Sequence, residues 1–316
     1  MASMSKRSRF TEPSKGEIKR QENLKAWITF FRRNIHRFIE EYMGIKLHPY
    51  QVLMLRMLQT STAFYAVAAR ATAKSFIIAV FSVAKAILYP GVKIVIVAKT
   101  LSQAGIIIND KVKLMMTYSP FIGAEIAKIR ESKTGYSAFF NNGSVIEAVQ
   151  SSDSARGHRA QQIIVEESRL VDHDVLEKVI KPFLSLRNPP FKSLPEYKGN
   201  KIYREMPLIS QITSAHYADA DWYREAMSII ERVAKGDKGA NFIAFDHLTA
   251  VRYGIKTKDV LRGEMATSDR TTVQHEYHNI PSTISDRAYY DFSYFKRSVN
   301  KAFYPQRLST FNPRKN

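Results

Sequence analysis

Residues 63–75 read Ala-Phe-Tyr-Ala-Val-Ala-Ala-Arg-Ala-Thr-Ala-Lys-Ser, and this stretch decides the fold. Its apolar first half predicts a buried strand over 63–69, and the apolar run at 76–88 predicts a helix. A short link that carries Lys74 and Ser75 joins the two elements. A strand, a short loop ending in Lys-Ser and a helix together favour a phosphate-binding loop at the helix N-terminus.

The link departs from the usual phosphate-loop pattern, G-x-x-x-x-G-K-[ST]. Ala68 and Ala73 stand where the pattern has glycine, while Lys74 and Ser75 keep the last two positions. Lys74 is predicted to reach the terminal phosphates of a nucleotide, and the Ser75 hydroxyl to bind Mg²⁺. Alanine is expected to serve at the glycine positions as long as the backbone keeps φ below zero. The alternative is a helix cap that happens to contain one lysine.

The acidic end of a short strand provides a second candidate element. Residues 161–168 read Gln-Gln-Ile-Ile-Val-Glu-Glu-Ser, in which 163–165 predict a buried strand and Glu166 and Glu167 follow where it leaves the sheet. This is the Walker B arrangement of a P-loop ATPase, with Glu166 where Asp is usual. Glu166 is predicted to hold Mg²⁺, and Glu167 to activate the attacking water as a general base. The alternative is two solvated carboxylates that begin the next helix.

Strands and helices alternate along most of the chain. Further strands are predicted at 92–98, 136–140, 144–149, 162–165, 208–213 and 242–245, and helices at 49–60, 101–118, 173–185 and 221–234. Asn142-Gly143 predicts a hairpin turn. Apolar side chains spaced by three and four residues across 22–43 predict one amphipathic helix. Its basic face contacts DNA phosphates or a neighbouring subunit, or the helix is a packed arm whose basic face is solvated. The alternation predicts an α/β fold, a mostly parallel sheet with helices on both faces.

The chain has 316 residues, a formal net charge of +19 and no Cys. The missing Cys excludes a disulfide scaffold, a Cys-ligated zinc site and a thiol nucleophile. The charge excess lies at the ends, with ten Lys/Arg against four Asp/Glu in 1–40 and seven against one in 287–316. Such an excess points first to nucleic acid and then to acidic membrane surfaces. The apolar runs are far shorter than the roughly 20 residues that span a bilayer, so no membrane segment is predicted.

Four short motifs follow one another in a specific order. They are Leu47-His48-Pro49-Tyr50-Gln51, Arg70-Ala71-Thr72-Ala73-Lys74-Ser75, Ser154-Ala155-Arg156-Gly157 and Ile212-Thr213-Ser214-Ala215. Together they resemble the ATPase domain of the large terminase subunit of tailed double-stranded DNA bacteriophages. The second motif is similar to the deviant Walker A of that family, which places Arg four residues before Lys. The fourth is similar to its coupling motif, which links hydrolysis to movement. Ala73 and Glu166 depart from the family pattern.

The resemblance implies a P-loop core of the RecA-like, ASCE type that binds ATP and Mg²⁺. It implies that Tyr50 and Gln51 contact adenine and that Arg70, in the loop with Ala71, Thr72 and Ala73, acts on the phosphates of its own subunit. It also implies double-stranded DNA, a portal protein and a small terminase subunit as partners, a homo-oligomeric ring, and a place in the host cytoplasm, transiently at the procapsid portal vertex. The residues leave another interpretation open, in which Tyr50 is core and Gln51 lies on the polar face of helix 49–60.

A loop arginine is the predicted arginine finger. Arg156 lies in a Ser/Gly-rich loop ten residues before Glu166, where the family has an arginine. A guanidinium supplies positive charge to the γ-phosphate, so its placement decides when hydrolysis occurs. The hypothesis is that Arg156 reaches into the site of a neighbouring subunit. The alternatives are a contact with DNA phosphate or with a local carboxylate, and Arg159 is the competing finger.

The predicted organisation is a basic N-terminal arm at 1–45, a P-loop ATPase core at 46–250, and a helical linker subdomain with a basic tail at 251–316. The family's large subunit normally continues into an RNase H-like nuclease, which needs several carboxylates to bind two metals. No Asp or Glu follows Asp291, so nuclease activity is not expected from this chain. The predicted function is an ATP-hydrolysing motor that translocates double-stranded viral DNA into a procapsid. The alternatives are another DNA-stimulated or helicase-like ATPase, or a catalytically weak DNA-binding scaffold.

Overall fold

The computed structural model describes residues 14–132, 135–186 and 205–283. The predicted basic tail at 287–316 and the start of the predicted arm lie outside the described residues. No helix in the described ranges is both long enough and apolar enough to cross a bilayer.

An eight-stranded sheet forms the centre of the fold. In chain order its strands are β1 Ala63–Ala68, β2 Lys93–Ala98, β3 Ile126–Ser132, β4 Gly135–Phe140, β5 Val145–Gln150, β6 Gln162–Glu166, β7 Leu208–Thr213 and β8 Ala240–Phe245. Their order across the sheet is β3-β4-β5-β2-β6-β7-β1-β8. In this order across the sheet, every neighbouring pair from β5 onward to β8 is parallel. The two remaining pairs, β3 with β4 and β4 with β5, are antiparallel. The predicted mostly parallel sheet and the predicted β4–β5 hairpin are confirmed.

Helices connect the strands and follow the last one. They are α1 Lys15–Arg33, α2 Ile35–Glu41, α3 Pro49–Thr60, α4 Lys74–Leu88, α5 Leu101–Ile106, α6 Lys113–Tyr118, α7 Pro120–Glu125, α8 His173–Val175, α9 Asp221–Ala234, α10 His247–Arg252, α11 Lys258–Ala266 and α12 Arg270–Thr272. A π-helical turn, Ile107–Val112, joins α5 to α6, so the predicted helix at 101–118 is continuous. Helical turns over 176–183 extend α8, and another over 273–277 extends α12.

Alternating side chains of the strands pack on opposite faces of the sheet. In β2, Ile94 and Ile96 join a large cluster with α2, α3 and α4, while Val95 and Val97 join a cluster with the helical turns of 173–183. Tyr65 and Val67 of β1 pack against α9 on that second face. Burial on both faces is what makes these strands apolar throughout, and it matches the prediction of helices on both faces.

The predicted single helix at 22–43 is wrong, because the chain bends at Asn34. This residue has φ −127° and ψ 61°, outside helical values, and its side-chain amide donates to the carbonyl of Phe30 at 2.9 Å. The bend turns α2 into the main core, where Phe38 is fully buried. Arg32, on the predicted basic face, is also buried: its Nε donates to the Leu88 carbonyl at 2.9 Å and its guanidinium lies over the Tyr89 ring. Asn reduces helix stability because its side chain competes for backbone hydrogen bonds.

Candidate active site

The candidate site lies at the carboxyl ends of three neighbouring central strands. The order β6-β7-β1 places the loop after β1 close to the ends of β6 and β7. The predicted phosphate loop follows β1, the Glu166-Glu167 pair ends β6, and the predicted coupling motif ends β7. Ligands of open α/β sheets bind outside the carboxyl ends of the strands, so the topology brings the separate motifs together at the expected edge.

The phosphate loop has a backbone that alanine rarely adopts. Ala71 has φ 65° and Ala73 has φ 57°, both in the left-handed region. The condition for alanine at a glycine position, a φ below zero, is therefore not met at Ala73. The loop thus has the left-handed turn for which glycine is favoured. The Cβ clash at each such alanine costs roughly 1–2 kcal/mol.

Ala73→Gly is expected to stabilise the protein by about 1 kcal/mol, because glycine removes the Cβ clash at φ 57°. For a domain of this size the thermal midpoint should rise by about 2–4 °C. Thermal unfolding followed by circular dichroism measures the shift. The control is Ala79→Gly in the middle of α4, where the backbone is helical and glycine should lower the midpoint. If the thermal midpoint of Ala73→Gly fell, as that of the control should, the claim that the backbone at Ala73 is strained would be contradicted.

Lys74 and Ser75 form the first turn of α4, which begins two residues earlier than predicted. The Lys74 Nζ donates to the carbonyl of Ala68 at 2.8 Å and lies 3.6 Å from Glu167 Oε1. Its side chain is only 11% exposed, so the ammonium is directed into the site. A positive charge held at the strand ends, next to a helix N-terminus, favours the binding of phosphate.

Glu166 reaches the phosphate loop directly. The Ser75 hydroxyl donates a short hydrogen bond to Glu166 Oε1, whereas Glu166 Oε2 is buried without a hydrogen-bond partner among the described residues. Burial raises the pKa of Glu166 to about 7; the Ser75 hydrogen bond opposes the rise and the nearby Glu167 carboxylate adds to it. A buried, unpaired carboxylate oxygen beside a hydroxyl oxygen suits a hard divalent cation, because Mg²⁺ takes oxygen ligands. The residues present therefore fit the predicted metal site.

Glu167 is held by groups from three elements. Its backbone has φ 45°, a left-handed value that is uncommon for a non-glycine residue. Its carboxylate lies 3.6 Å from Lys74 Nζ, 3.4 Å from Arg169 Nε and 3.5 Å from the Thr213 hydroxyl, which donates to it. The predicted base is thus turned towards the phosphate loop, and the predicted coupling residue Thr213 contacts it directly.

The other two residues of the predicted coupling motif are buried beside Thr213. The Ser214 hydroxyl has no hydrogen-bond partner in the described part of the chain. The Ala215 amide donates to Asn279 Oδ1 at 3.0 Å, and the Asn279 amide donates to the carbonyls of Val67 and Phe245. Asn279 therefore ties the ends of β1 and β8 to the loop after β7. Nothing in the sequence around Asn279 indicates this role.

Tyr50 and Gln51 lie against the phosphate loop. The Tyr50 hydroxyl donates to the Thr72 carbonyl at 3.0 Å, and its ring packs on Tyr253. Gln51 is only 3% exposed. Its side-chain Nε2 donates to the Tyr50 hydroxyl, and its Oε1 accepts from the His48 backbone amide. The structure thus buries both residues: Tyr50 belongs to the main apolar core, as the alternative interpretation has it, and Gln51 faces the protein interior rather than solvent.

Arg156 lies on the same edge of the sheet but away from the Lys74 cluster. It follows the turn Asp153–Ala155 after β5, and β2 separates β5 from β6. Its side chain is 66% exposed, and its Nη2 lies 3.9 Å from Asp153 Oδ1. The structure therefore does not bring Arg156 to the phosphate loop of its own chain.

Two charged residues that sequence reasoning missed, Arg169 and Glu276, complete the site. Arg70 donates from Nε to Glu276 Oε2 at 2.6 Å, and Arg169 donates from Nη2 to Glu276 Oε1 at 2.5 Å. The pKa of Glu276 is lowered: burial acts to raise it, but the hydrogen bonds and charges of Arg70 and Arg169 outweigh burial. Glu276 is 206 residues from Arg70 in the chain, so no local sequence signal pairs them.

The chain was compared with known proteins. No family model matches it, and no curated protein matches its sequence. It is similar to the solved ATPase domain of the Thermus phage P74-26 large terminase, at 16% identity and a TM-score of 0.54 over 79% of this chain and 99% of that one. It is also similar to the HK97 bacteriophage large terminase, at 17% identity and a TM-score of 0.57 over 79% of this chain and 55% of that one.

A third similar structure is the large terminase from a thermophilic bacteriophage in complex with ATP-gamma-S, at 10% identity and a TM-score of 0.50. The alignment covers 74% of this chain and 53% of that one, so this chain spans about half the length of this terminase and of the HK97 protein. At such identities the likeness shows the fold. The chain has the α/β fold of phage large terminase ATPase domains, which confirms the predicted fold class.

Proposed function

We propose that this chain is the ATPase motor part of a phage large terminase, which hydrolyses ATP to translocate double-stranded DNA into a procapsid. One observation carries the proposal: Lys74, Ser75, Glu166 and Glu167 converge at the ends of β1 and β6 although 91 residues separate Ser75 from Glu166. This convergence, on the fold of terminase ATPase domains, supplies the groups that phosphoryl transfer needs.

The phosphate groups of ATP bind the loop amides of 71–73 and the Lys74 ammonium, whose charge is aimed into the site. Ser75 and Glu166 would hold Mg²⁺, which when bound neutralises negative charge on the β- and γ-phosphates. The unpartnered Glu166 Oε2 supports this assignment, because a buried carboxylate oxygen without a donor is costly unless a cation or water meets it.

Glu167 accepts a proton from the attacking water as the general base. Lys74 at 3.6 Å and Arg169 at 3.4 Å hold the carboxylate at the edge of the phosphate loop, where an attacking water would lie. Thr213 donates to the same carboxylate, so a change at Glu167 during hydrolysis is passed to β7 and to the loop of Ser214 and Ala215. That contact supports the coupling role of this motif.

Adenine is assigned to the position next to Tyr50 and Gln51, although both side chains are buried. Tyr50 contacts the phosphate loop through the Thr72 carbonyl, so a base at Gln51 and phosphates at Lys74 would belong to one ligand. Gln51 has to exchange an internal hydrogen bond for the base. A Gln51→Ala variant that keeps the wild-type affinity and preference for ATP over GTP would contradict this role.

DNA contact is assigned to the positive charge of the chain, a net +19. Such contacts are made mostly with phosphates and are therefore independent of sequence and sensitive to salt. Assembly as a homo-oligomeric ring with a portal protein and a small terminase subunit, in the host cytoplasm and at the portal vertex, belongs to the same proposal.

The test of the proposed motor is ATP turnover with and without double-stranded DNA. We expect stimulation that falls steeply between about 50 and 200 mM salt; turnover that is indifferent to DNA at every salt concentration would contradict the motor.

Arg156→Ala is expected to abolish ATP turnover, because every site then lacks the arginine that a neighbouring subunit would provide. The exposed Arg156 lies away from its own phosphate loop, so we propose that it completes the site of a neighbour as a trans arginine finger. Mixing Arg156→Ala subunits with Glu167→Ala subunits should restore part of the activity, because some interfaces then contain both groups. The same mixing with Arg159→Ala subunits is the comparison. The trans role is wrong if an assembly that remains intact shows no rescue.

A further inference from the structure

A carboxylate of the helical segment 247–283 lies between two arginines of the ATPase site. Both oxygens of Glu276 are used, Oε2 by Arg70 at 2.6 Å and Oε1 by Arg169 at 2.5 Å. The side chains of Glu276 and Arg169 are 15% and 13% exposed, so water screens their contact only weakly. The Arg70 backbone amide also donates to the Glu276 carbonyl at 2.7 Å, which fixes the start of the phosphate loop to this segment.

Arg169 connects this carboxylate to the catalytic groups. Its Nε lies 3.4 Å from Glu167 Oε2, and its Nη1 donates to the Ala215 carbonyl at 3.4 Å. One guanidinium therefore touches the proposed base, the coupling motif and Glu276. If the Glu276 contact were lost, the orientation of Arg169 beside Glu167 would lose its anchor.

We infer that Glu276 is a positioning residue of this site: it competes with the nucleotide phosphates for Arg70, and it holds Arg169 beside Glu167. The inference rests on the proposed ATPase function. Arg70 belongs to the phosphate loop, and its side chain is 55% exposed, so there is room for the guanidinium to turn from Glu276 towards a phosphate. Guanidinium binds carboxylate and phosphate with the same paired geometry, so the two anions are direct competitors.

The competition links the nucleotide to the helical segment. Without nucleotide, Arg70 faces the Glu276 carboxylate, and Arg169 lies between Glu276 and Glu167. A triphosphate adds negative charge beside Arg70 and shifts it away from Glu276. Asn279, three residues further on, keeps the segment on the strand ends through Val67 and Ala215. Phosphate binding therefore weakens the side-chain contact between Arg70 and Glu276 and leaves the Asn279 contacts in place.

The test compares Glu276→Gln with wild type by two measurements, the affinity for ATP-gamma-S and the steady-state kcat. Glutamine keeps the size and loses the charge. Affinity should rise about tenfold because Arg70 is released to the phosphates, and kcat should fall about tenfold because Arg169 no longer holds Glu167. A purely structural defect would weaken binding and turnover together. The matched control is Asp259→Asn, which removes one carboxylate from an exposed ion pair with Arg262 within the same segment.

A second variant identifies Arg70 as the competing group. In an Arg70→Ala background, Glu276→Gln should no longer raise the affinity, while it should still lower kcat through Arg169. The inference is overturned if Glu276→Gln binds and turns over ATP as wild type does, or if its affinity gain persists without Arg70. Those outcomes differ from a failure of the proposed function, in which wild type itself neither binds ATP-gamma-S nor hydrolyses ATP; that result overturns both.

Discussion

Glu167→Gln is expected to lower kcat for ATP hydrolysis by at least about 100-fold and to leave nucleotide affinity near that of wild type. The amide has the shape of the carboxylate but cannot accept the proton of the attacking water. It can still accept from Thr213, so the end of β6 should keep its structure. Two measurements on the same preparation distinguish an effect on hydrolysis from an effect on binding: the rate of phosphate release from ATP and the affinity for ATP-gamma-S.

Glu131→Gln is the matched control for this prediction. Glu131 also pairs with a lysine, Lys113, at 2.8 Å. It lies on the edge strand β3, away from the phosphate loop, and its loss should leave kcat unchanged. If Glu167→Gln retained most of the wild-type kcat, another group would have to be the base.

Lys74→Ala is expected to remove both nucleotide binding and turnover. Lys74 supplies the ammonium that is aimed into the site, and its Nζ is already held by the Ala68 carbonyl at 2.8 Å, so no reorganisation is needed to meet a phosphate. Charge-assisted hydrogen bonds to phosphate are about twice as strong as neutral ones, and their loss should weaken ATP-gamma-S binding by at least about tenfold. Isothermal titration measures this change directly.

Lys113→Ala controls for the loss of a positive charge. Lys113 forms an exposed ion pair with Glu131 on α6 and β3, and such pairs contribute little to stability. Circular dichroism should show both variants folded. Lys74→Ala protein that is folded and binds ATP-gamma-S with wild-type affinity would contradict a phosphate loop at 68–75.

The central motifs could be predicted because their signals are local. The apolar strand before the loop and the apolar helix after it fix where Lys74 must lie, and the run at 163–165 fixes where Glu166 and Glu167 leave the sheet. Topology then decides the rest: parallel strands place all their carboxyl ends at one edge. The edge strand β3 was not predicted, since its side chains are mostly exposed and show little apolar pattern.

The supporting residues could not be predicted because their contacts are distant in sequence. Glu276 meets Arg70 across 206 residues, and Arg32 is buried by a carbonyl of α4 rather than facing solvent. The loop alanines Ala71 and Ala73 have φ values of 65° and 57°. Residue type alone favours the opposite sign of φ for alanine.

Backbone strain is concentrated at the candidate site. Four non-glycine residues in the described ranges have positive φ, namely Ala71, Ala73, Glu167 and Asn279. Two are in the phosphate loop, one is the proposed base, and one ties the strand ends to the coupling motif. Strained residues persist where the surrounding structure holds them, often at functional sites, and here they mark the same groups that the proposed chemistry uses.

The most direct measurement is the rate of phosphate release from ATP and Mg²⁺ in the presence of double-stranded DNA, for wild type, Lys74→Ala and Glu167→Gln together. The proposed motor predicts turnover by wild type, neither binding nor turnover by Lys74→Ala, and binding without turnover by Glu167→Gln. Equal, near-zero turnover by all three proteins, with DNA and packaging partners present, would contradict it and leave a DNA-binding scaffold in its place.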